Sequence, residues 1–235
     1  MKKHLSILAA AVLCIRIVHA QLGPGAGAQM DNGMEKLFGD NQTFSATLES
    51  QVNNPQQGST SVTGKMYFDN GNSRFEIDMP QMKSMGLDRM VAIAKADKKS
   101  AYLIYPNLQA YAAITPQDTG ATNADLKTET TKLGDETMDG HPCVKNKVVV
   151  TDKQGIPHEY TVWDAADLKN FPIKIELMEQ GNDIVMLFKD VDLSKPDASL
   201  FDAPTGYNRY DSPQQLMQQA VMKRMGGGAG APPQQ

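Results

Sequence analysis

The fold is decided by residues 62–79, Val62-Thr-Gly-Lys-Met-Tyr-Phe-Asp-Asn-Gly-Asn-Ser-Arg-Phe-Glu-Ile-Asp-Met79. On both sides of Asp69-Asn70-Gly71, apolar residues alternate with polar ones, a period typical of strands with one buried and one wet face. Asn and Gly tolerate the positive φ angles of a tight hairpin turn. The stretch therefore predicts an antiparallel hairpin that is apolar on one side.

The same alternation recurs along the chain, for example over residues 44–49 and 173–178. Short turn sequences separate the alternating runs, and wet outer faces favour antiparallel over parallel sheet. We count ten or eleven strands. The predicted fold is mainly β, a long antiparallel meander curled into a half-barrel over its own apolar face. A few short helices are expected, with a C-terminal helix starting at Ser212-Pro213.

The N-terminus has the pattern of a secretory signal. Lys2 and Lys3 precede a short apolar run, Leu5 to Ile15, and small or apolar residues lead up to Ala20. Cleavage after Ala20 would deliver the protein to the periplasm or outside the cell. The run is about ten residues, whereas a spanning helix needs about twenty.

The remaining chain divides by composition. We expect a signal peptide at 1–20, a flexible Gly/Ala/Gln-rich linker at 21–33 and a single β domain at 34–210. A C-terminal helix at 211–225 and a disordered tail at 226–235 complete the prediction.

Charge and motif content exclude several functions. Removal of the signal leaves 20 basic and 27 acidic side chains, a net charge near −7, which disfavours binding to nucleic acid. The mature chain keeps one cysteine, Cys143, as either a buried apolar residue or a reactive thiol. We find no nucleophile or phosphate-loop motif at the required spacing, and predict a non-enzymatic protein without a cofactor. A monomer is expected.

Methionine is the unusual residue, with thirteen in the mature chain. Met79, Met82 and Met85 are spaced by three, and Met90 follows. Three interpretations stay open. The thioethers fill gaps in packing, form an adaptable apolar lid over a cavity, or gather as soft ligands for Cu(I).

Four segments together resemble a known family: Ala101-Tyr-Leu-Ile-Tyr-Pro106 with Tyr111, Leu133 to Cys143, Glu159-Tyr-Thr-Val-Trp163, and Ser199 to Tyr207. Over roughly residues 40–210, their order is similar to an uncharacterised exported bacterial domain family, which itself resembles periplasmic lipoprotein carriers of the LolA type. The resemblance implies a half-barrel whose apolar concave face is covered by short helices or loops. The carriers use that cavity for acyl chains.

We therefore predict an exported binding protein that holds a lipid-like or other apolar ligand, with an envelope protein as a further partner. The alternatives are a Met-rich copper protein that uses Met79, Met82 and Met85, and a structural or protein-interaction module without a ligand. The residues expected to form the apolar lid and cavity are Phe75, Ile77, Met79, Met82, Met85, Met90, Tyr105 and Trp163.

Overall fold

The computed structural model is an open, curled sheet of twelve strands, and it describes residues 34–56, 58–95, 100–114, 126–151, 155–179 and 181–225. The first six strands are β1 (Thr43–Asn54), β2 (Gly58–Asp69), β3 (Asn72–Asp78), β4 (Arg89–Lys95), β5 (Ser100–Tyr105) and β6 (Ala110–Ile114). The others are β7 (Lys127–Met138), β8 (His141–Thr151), β9 (Pro157–Ala165), β10 (Phe171–Glu179), β11 (Asn182–Asp192) and β12 (Asn208–Tyr210). A short helix α1 (Met34–Leu37) precedes them, and α2 (Pro213–Met225) follows.

The spatial order of the strands is β12-β6-β5-β4-β3-β2-β1-β11-β10-β9-β8-β7. The predicted meander is confirmed, as two antiparallel runs that meet where β1 pairs with β11. The structure has twelve strands, one more than the upper limit of the ten or eleven strands that the sequence predicts. The three-residue β12, which pairs in parallel with β6, is too short to show an alternating pattern.

The hairpin of residues 62–79 forms as its sequence predicts. Asn70 and Gly71 have φ angles of 44° and 100°, and the register aligns Met66 with Phe75. Both side chains therefore lie on the same face, which we call the inner face. The sheet packs its main hydrophobic core there.

The pairing of β8 with β9 differs by one residue from the register that a four-residue turn between them would give. A four-residue turn over Asp152 to Gly155 would place His158 opposite Val149. In the structure His158 pairs with Val150, because the connection is one residue longer and Thr151 pairs with Pro157. This register aligns Val148 with Tyr160, so the apolar faces of both strands match without a bulge.

Short elements cover one end of the inner face. A 3₁₀ helix, Pro80–Met85, begins with proline and ends at Gly86, whose φ of 69° suits glycine. The C-terminal helix α2 starts as predicted, with the Ser212 hydroxyl accepting a hydrogen bond from the Gln215 backbone N–H at 3.1 Å. Its Leu216 is buried in the core.

The opposite, outer face is covered over β4 and β5 by the segment 193–207, which returns from β11 to β12. Phe201 of this segment packs against Val91, Ile93 and Ile104. The Arg74 guanidinium donates to the carbonyl oxygen of Leu200 at 2.9 Å, which ties the segment to β3. Both faces of this half of the sheet are thus packed.

Candidate ligand-binding face

Five of the predicted site residues lie close together on the inner face. They are Phe75 and Ile77 on β3, Met79 just after β3, Met90 on β4 and Tyr105 on β5. The register pairs Ile77 with Met90. All five are at most 5% exposed, so in this conformation the face is filled by the protein's own side chains.

The methionine-rich segment forms the 3₁₀ helix and its approach. The Met79 backbone N–H donates to the Asp88 carbonyl oxygen at 2.7 Å, which holds the segment against the start of β4. Met82 is half-buried and packs against the core. The side chain of Met85 lies outside the described part of the structure. Packing and lid interpretations both fit the placement of Met79, Met82 and Met90.

Trp163 is part of the same hydrophobic cluster, but it lies on β9 and not beside these five residues. It follows Val162 directly on β9, and because consecutive side chains of a strand point to opposite faces, it belongs to the outer face. It is nevertheless buried, since Nζ of Lys145 and of Lys174 lie 4.6 and 4.2 Å from its ring centroid. Its indole N–H donates to the Glu136 carboxylate at 2.9 Å. This bond, with the nearby Lys145, lowers the pKa of Glu136.

One polar pair belongs to the inner face of β8 and β9. The Asn146 side-chain amide donates to the Asp164 carboxylate at 2.8 Å, and burial raises the pKa of Asp164 despite this hydrogen bond. The alternation Tyr160, Val162, Asp164 could have placed this carboxylate on the inner face from sequence.

Cys143 lies at the start of β8 and is 3% exposed. Burial raises the pKa of its thiol, with a smaller contribution in the same direction from nearby carboxylates. Because the thiolate is the reactive species, the buried, apolar interpretation of Cys143 is favoured over a reactive thiol.

A second feature, which sequence reasoning missed, is a cleft of about 750 Å³ at one end of β9, β10 and β11. The side chains facing it on the outer side form cross-strand rows, and we call this feature the outer cleft. One row contains Thr161, Glu176 and Val185; the next contains Met178, Asp183 and Asn53. From the sequence, the alternating pattern predicts only that these residues lie on the solvent-exposed face of their strands.

The protein is a curled β-sheet domain. Its open antiparallel sheet has one apolar face that is rich in methionine. The chain belongs to the family described as Domain of unknown function (DUF4412), whose model matches residues 44–170. This confirms the resemblance to an uncharacterised domain family. No curated protein matches the chain.

Several solved structures are similar in outline. A LolA superfamily protein of Nitrosomonas europaea has 11% identity and a TM-score of 0.40, over 72% of this chain and 94% of that one. Lipoprotein LppX of Mycobacterium tuberculosis has 10% identity and a TM-score of 0.45, over 72% and 96%. The MucA/MucB complex of Pseudomonas aeruginosa has 12% identity and a TM-score of 0.42, over 73% and 59%. Similarity at this level does not identify a ligand or a partner.

Within the described ranges, no helix is both long and apolar enough to cross a membrane. The same ranges contain no group of three or more His, Cys, Asp or Glu side chains arranged to hold a metal ion.

Proposed function

We propose that this protein is an exported, non-enzymatic binding module that takes up an apolar, acyl-chain-like ligand against the inner face of its sheet. The site would include Phe75, Ile77, Met79, Met82, Met85, Met90 and Tyr105, beneath the 3₁₀ helix and α2. Trp163 is left out of this site, because it belongs to the outer face.

The observation that carries the proposal is the composition and cover of the inner face. Methionines such as Met66, Met79, Met90 and Met186 are buried there among aromatic and aliphatic side chains. Methionine is unbranched and has several rotatable bonds, so a surface built from it can repack around ligands of different shape. A face of this kind suits an acyl chain better than it suits a rigid ligand.

The first turns of α2 form part of the cover over this face. They present Leu216 and Met217 to the core, whereas Gln214, Gln215 and Gln218 are not buried. Among the described side chains of α2, displacement of the helix therefore exposes Leu216 and Met217. An entering chain would replace that buried area, at about 25 cal/mol per Å² of apolar surface.

The similarity in outline to a LolA superfamily protein and to lipoprotein LppX agrees with an envelope binding role. The predicted signal at residues 1–20 agrees with export to the periplasm or beyond. We propose that compartment as the place where the ligand is met.

Native mass spectrometry tests the proposal directly. The full mature chain is incubated with a bacterial lipid extract, and ligand adducts are compared with those of two variants. Met82→Glu places a charge at the half-buried edge of the inner face, and we expect at least a roughly fivefold loss of adduct. Met178→Glu is the matched control, because Met178 is 73% exposed on the outer face. Absence of adducts on the wild type, or equal adducts on Met82→Glu, would reject the proposal.

A second candidate is a protein-interaction module without a ligand. It is favoured by one observation, the filling of the inner face by Phe75, Ile77, Met79, Met90 and Tyr105. The same experiment separates the two candidates, because an interaction module takes up no lipid from the extract.

A further inference from the structure

We propose that the outer cleft is a docking site for an extended, basic peptide segment of a partner protein. The inference is independent of the apolar ligand, because the cleft side chains that carry it point away from the inner face.

The first argument is the charge of the cleft. On its outer side it presents the carboxylates of Glu159, Glu176 and Asp183, and its lining includes no lysine or arginine. Lys147 and Lys174 pair with Glu159 and Glu176, each at 2.6 Å, from positions outside the lining. Surface ion pairs of this kind are weak, so a cation of an entering peptide can exchange with Lys147 or Lys174 and can also meet Asp183.

The second argument is exposed apolar surface at the same place. Met178 is 73% exposed, the most exposed large hydrophobic residue in the described ranges, and it lines the cleft together with Pro157 and Val185. Exposed apolar surface rimmed by polar groups is typical of interaction sites. Carboxylates alone would suit a free cation, but apolar surface beside them suits a peptide with both basic and apolar side chains.

The third argument is spacing. The rows of Glu176 and of Asp183 are two residues apart along each strand, which corresponds to about 6.8 Å. An extended peptide lying along the strands repeats its side-chain direction at the same interval. Alternate basic residues could then meet Glu176 in one row and Asp183 or Glu159 in the next. The spacing of the rows thus matches the side-chain repeat of an extended segment.

The probe is a ten-residue, end-capped peptide of alternating lysine and leucine, titrated against the full mature chain by fluorescence anisotropy. The comparison peptide replaces every lysine by glutamate. We expect the acidic peptide to bind at least roughly tenfold more weakly, because like charges in the cleft repel it.

Two triple variants with the same change in net charge locate the binding. Glu159→Gln, Glu176→Gln and Asp183→Asn together remove three carboxylates from the cleft. Asp78→Asn, Asp135→Asn and Asp139→Asn together remove three from outside the cleft, at the end of β3 and on and beside β7. We expect the dissociation constant to rise roughly tenfold in the first and less than about twofold in the second.

Equal weakening in both variants would mean attraction to net charge alone and would overturn the proposal. Unchanged affinity in the cleft variant, or equal binding of the acidic peptide, would overturn it as well. Circular dichroism of both variants establishes that they fold, since all six side chains are on the surface.

Discussion

The indole N–H of Trp163 on β9 donates to the carboxylate of Glu136 on β7, although β8 lies between these two strands. Lys145 of β8 fills the gap, with Nζ 3.2 Å from the other Glu136 oxygen and 4.6 Å from the ring centroid. Three neighbouring strands are thus tied together on the outer face by one aromatic ring, one carboxylate and one ammonium group.

This relationship predicts a pH response. The Trp163 hydrogen bond, then Lys145, lowers the pKa of Glu136, so ionised Glu136 stabilises the folded state above the ordinary glutamate pKa. That stabilisation is lost as the pH falls through the lowered pKa. Because Trp163 is the sole tryptophan, its fluorescence should change below the ordinary glutamate range, and Glu136→Gln should abolish this transition. An unchanged acid transition in Glu136→Gln would contradict the assignment.

The close approach of β2 and β3 predicts a destabilising substitution. A Cβ atom at Gly64 would lie 2.5 Å from the backbone oxygen of Glu76, so Gly64→Ala must push the strands apart. We expect a loss of about 1–3 kcal/mol in the free energy of unfolding, measured in urea by Trp163 fluorescence.

Gly134→Ala is the matched control, because a Cβ at Gly134 meets nothing within 4 Å. Its effect should stay within about 0.5 kcal/mol. Similar destabilisation by both substitutions would show that the contact with Glu76 is not the cause.

The attachment of α2 predicts a change in ligand uptake. Leu216 is 1% exposed, and Leu216→Ala should weaken the docking of the helix by about 2–3 kcal/mol. With the cover loosened, fluorescence of N-phenyl-1-naphthylamine, an apolar dye, should rise faster on mixing than with the wild type. Met222→Ala, at a residue 55% exposed on the same helix, should leave the rate unchanged. A slower or unchanged rate in Leu216→Ala would argue against α2 as the cover.

The copper alternative can be tested separately. Met79 is buried in the core, so its thioether contributes to packing and is not displayed to a metal ion. We expect that replacing Met79, Met82 and Met85 by leucine leaves the affinity for Cu(I) unchanged, as measured by calorimetry under reducing conditions. A large loss of affinity in that variant would instead support the copper protein.

Strand formation could be predicted from sequence because alternation and turn chemistry are local. Asn70 and Gly71 specify their turn, and the alternation from Phe75 to Met79 specifies which side is buried. The β8–β9 register could not be fixed in this way, since it depends on the length of the connection after Thr151. The requirement that the buried faces of the two strands coincide, with Val148 opposite Tyr160, identifies the correct register.

The candidate site was predictable only in part. Phe75, Ile77, Met79, Met90 and Tyr105 meet on one face, as period two on neighbouring strands requires. Trp163 belongs to the same hydrophobic cluster, but its ring lies on the side of β9 where Lys145 and Lys174 extend over it. The outer cleft depends on which strands are neighbours, and no local pattern reveals that.

The central claim, that an acyl chain enters the inner face, is tested most directly by NMR of a sample labelled with ¹³C at the methionine methyl groups. On addition of stearic acid carrying a nitroxide near its methyl end, the methyl signals of Met79, Met82 and Met90 should broaden strongly. Those of Met178 and Met222, which are exposed, should persist. Broadening of Met178 and Met222 with unchanged signals from the three inner methionines would contradict the account.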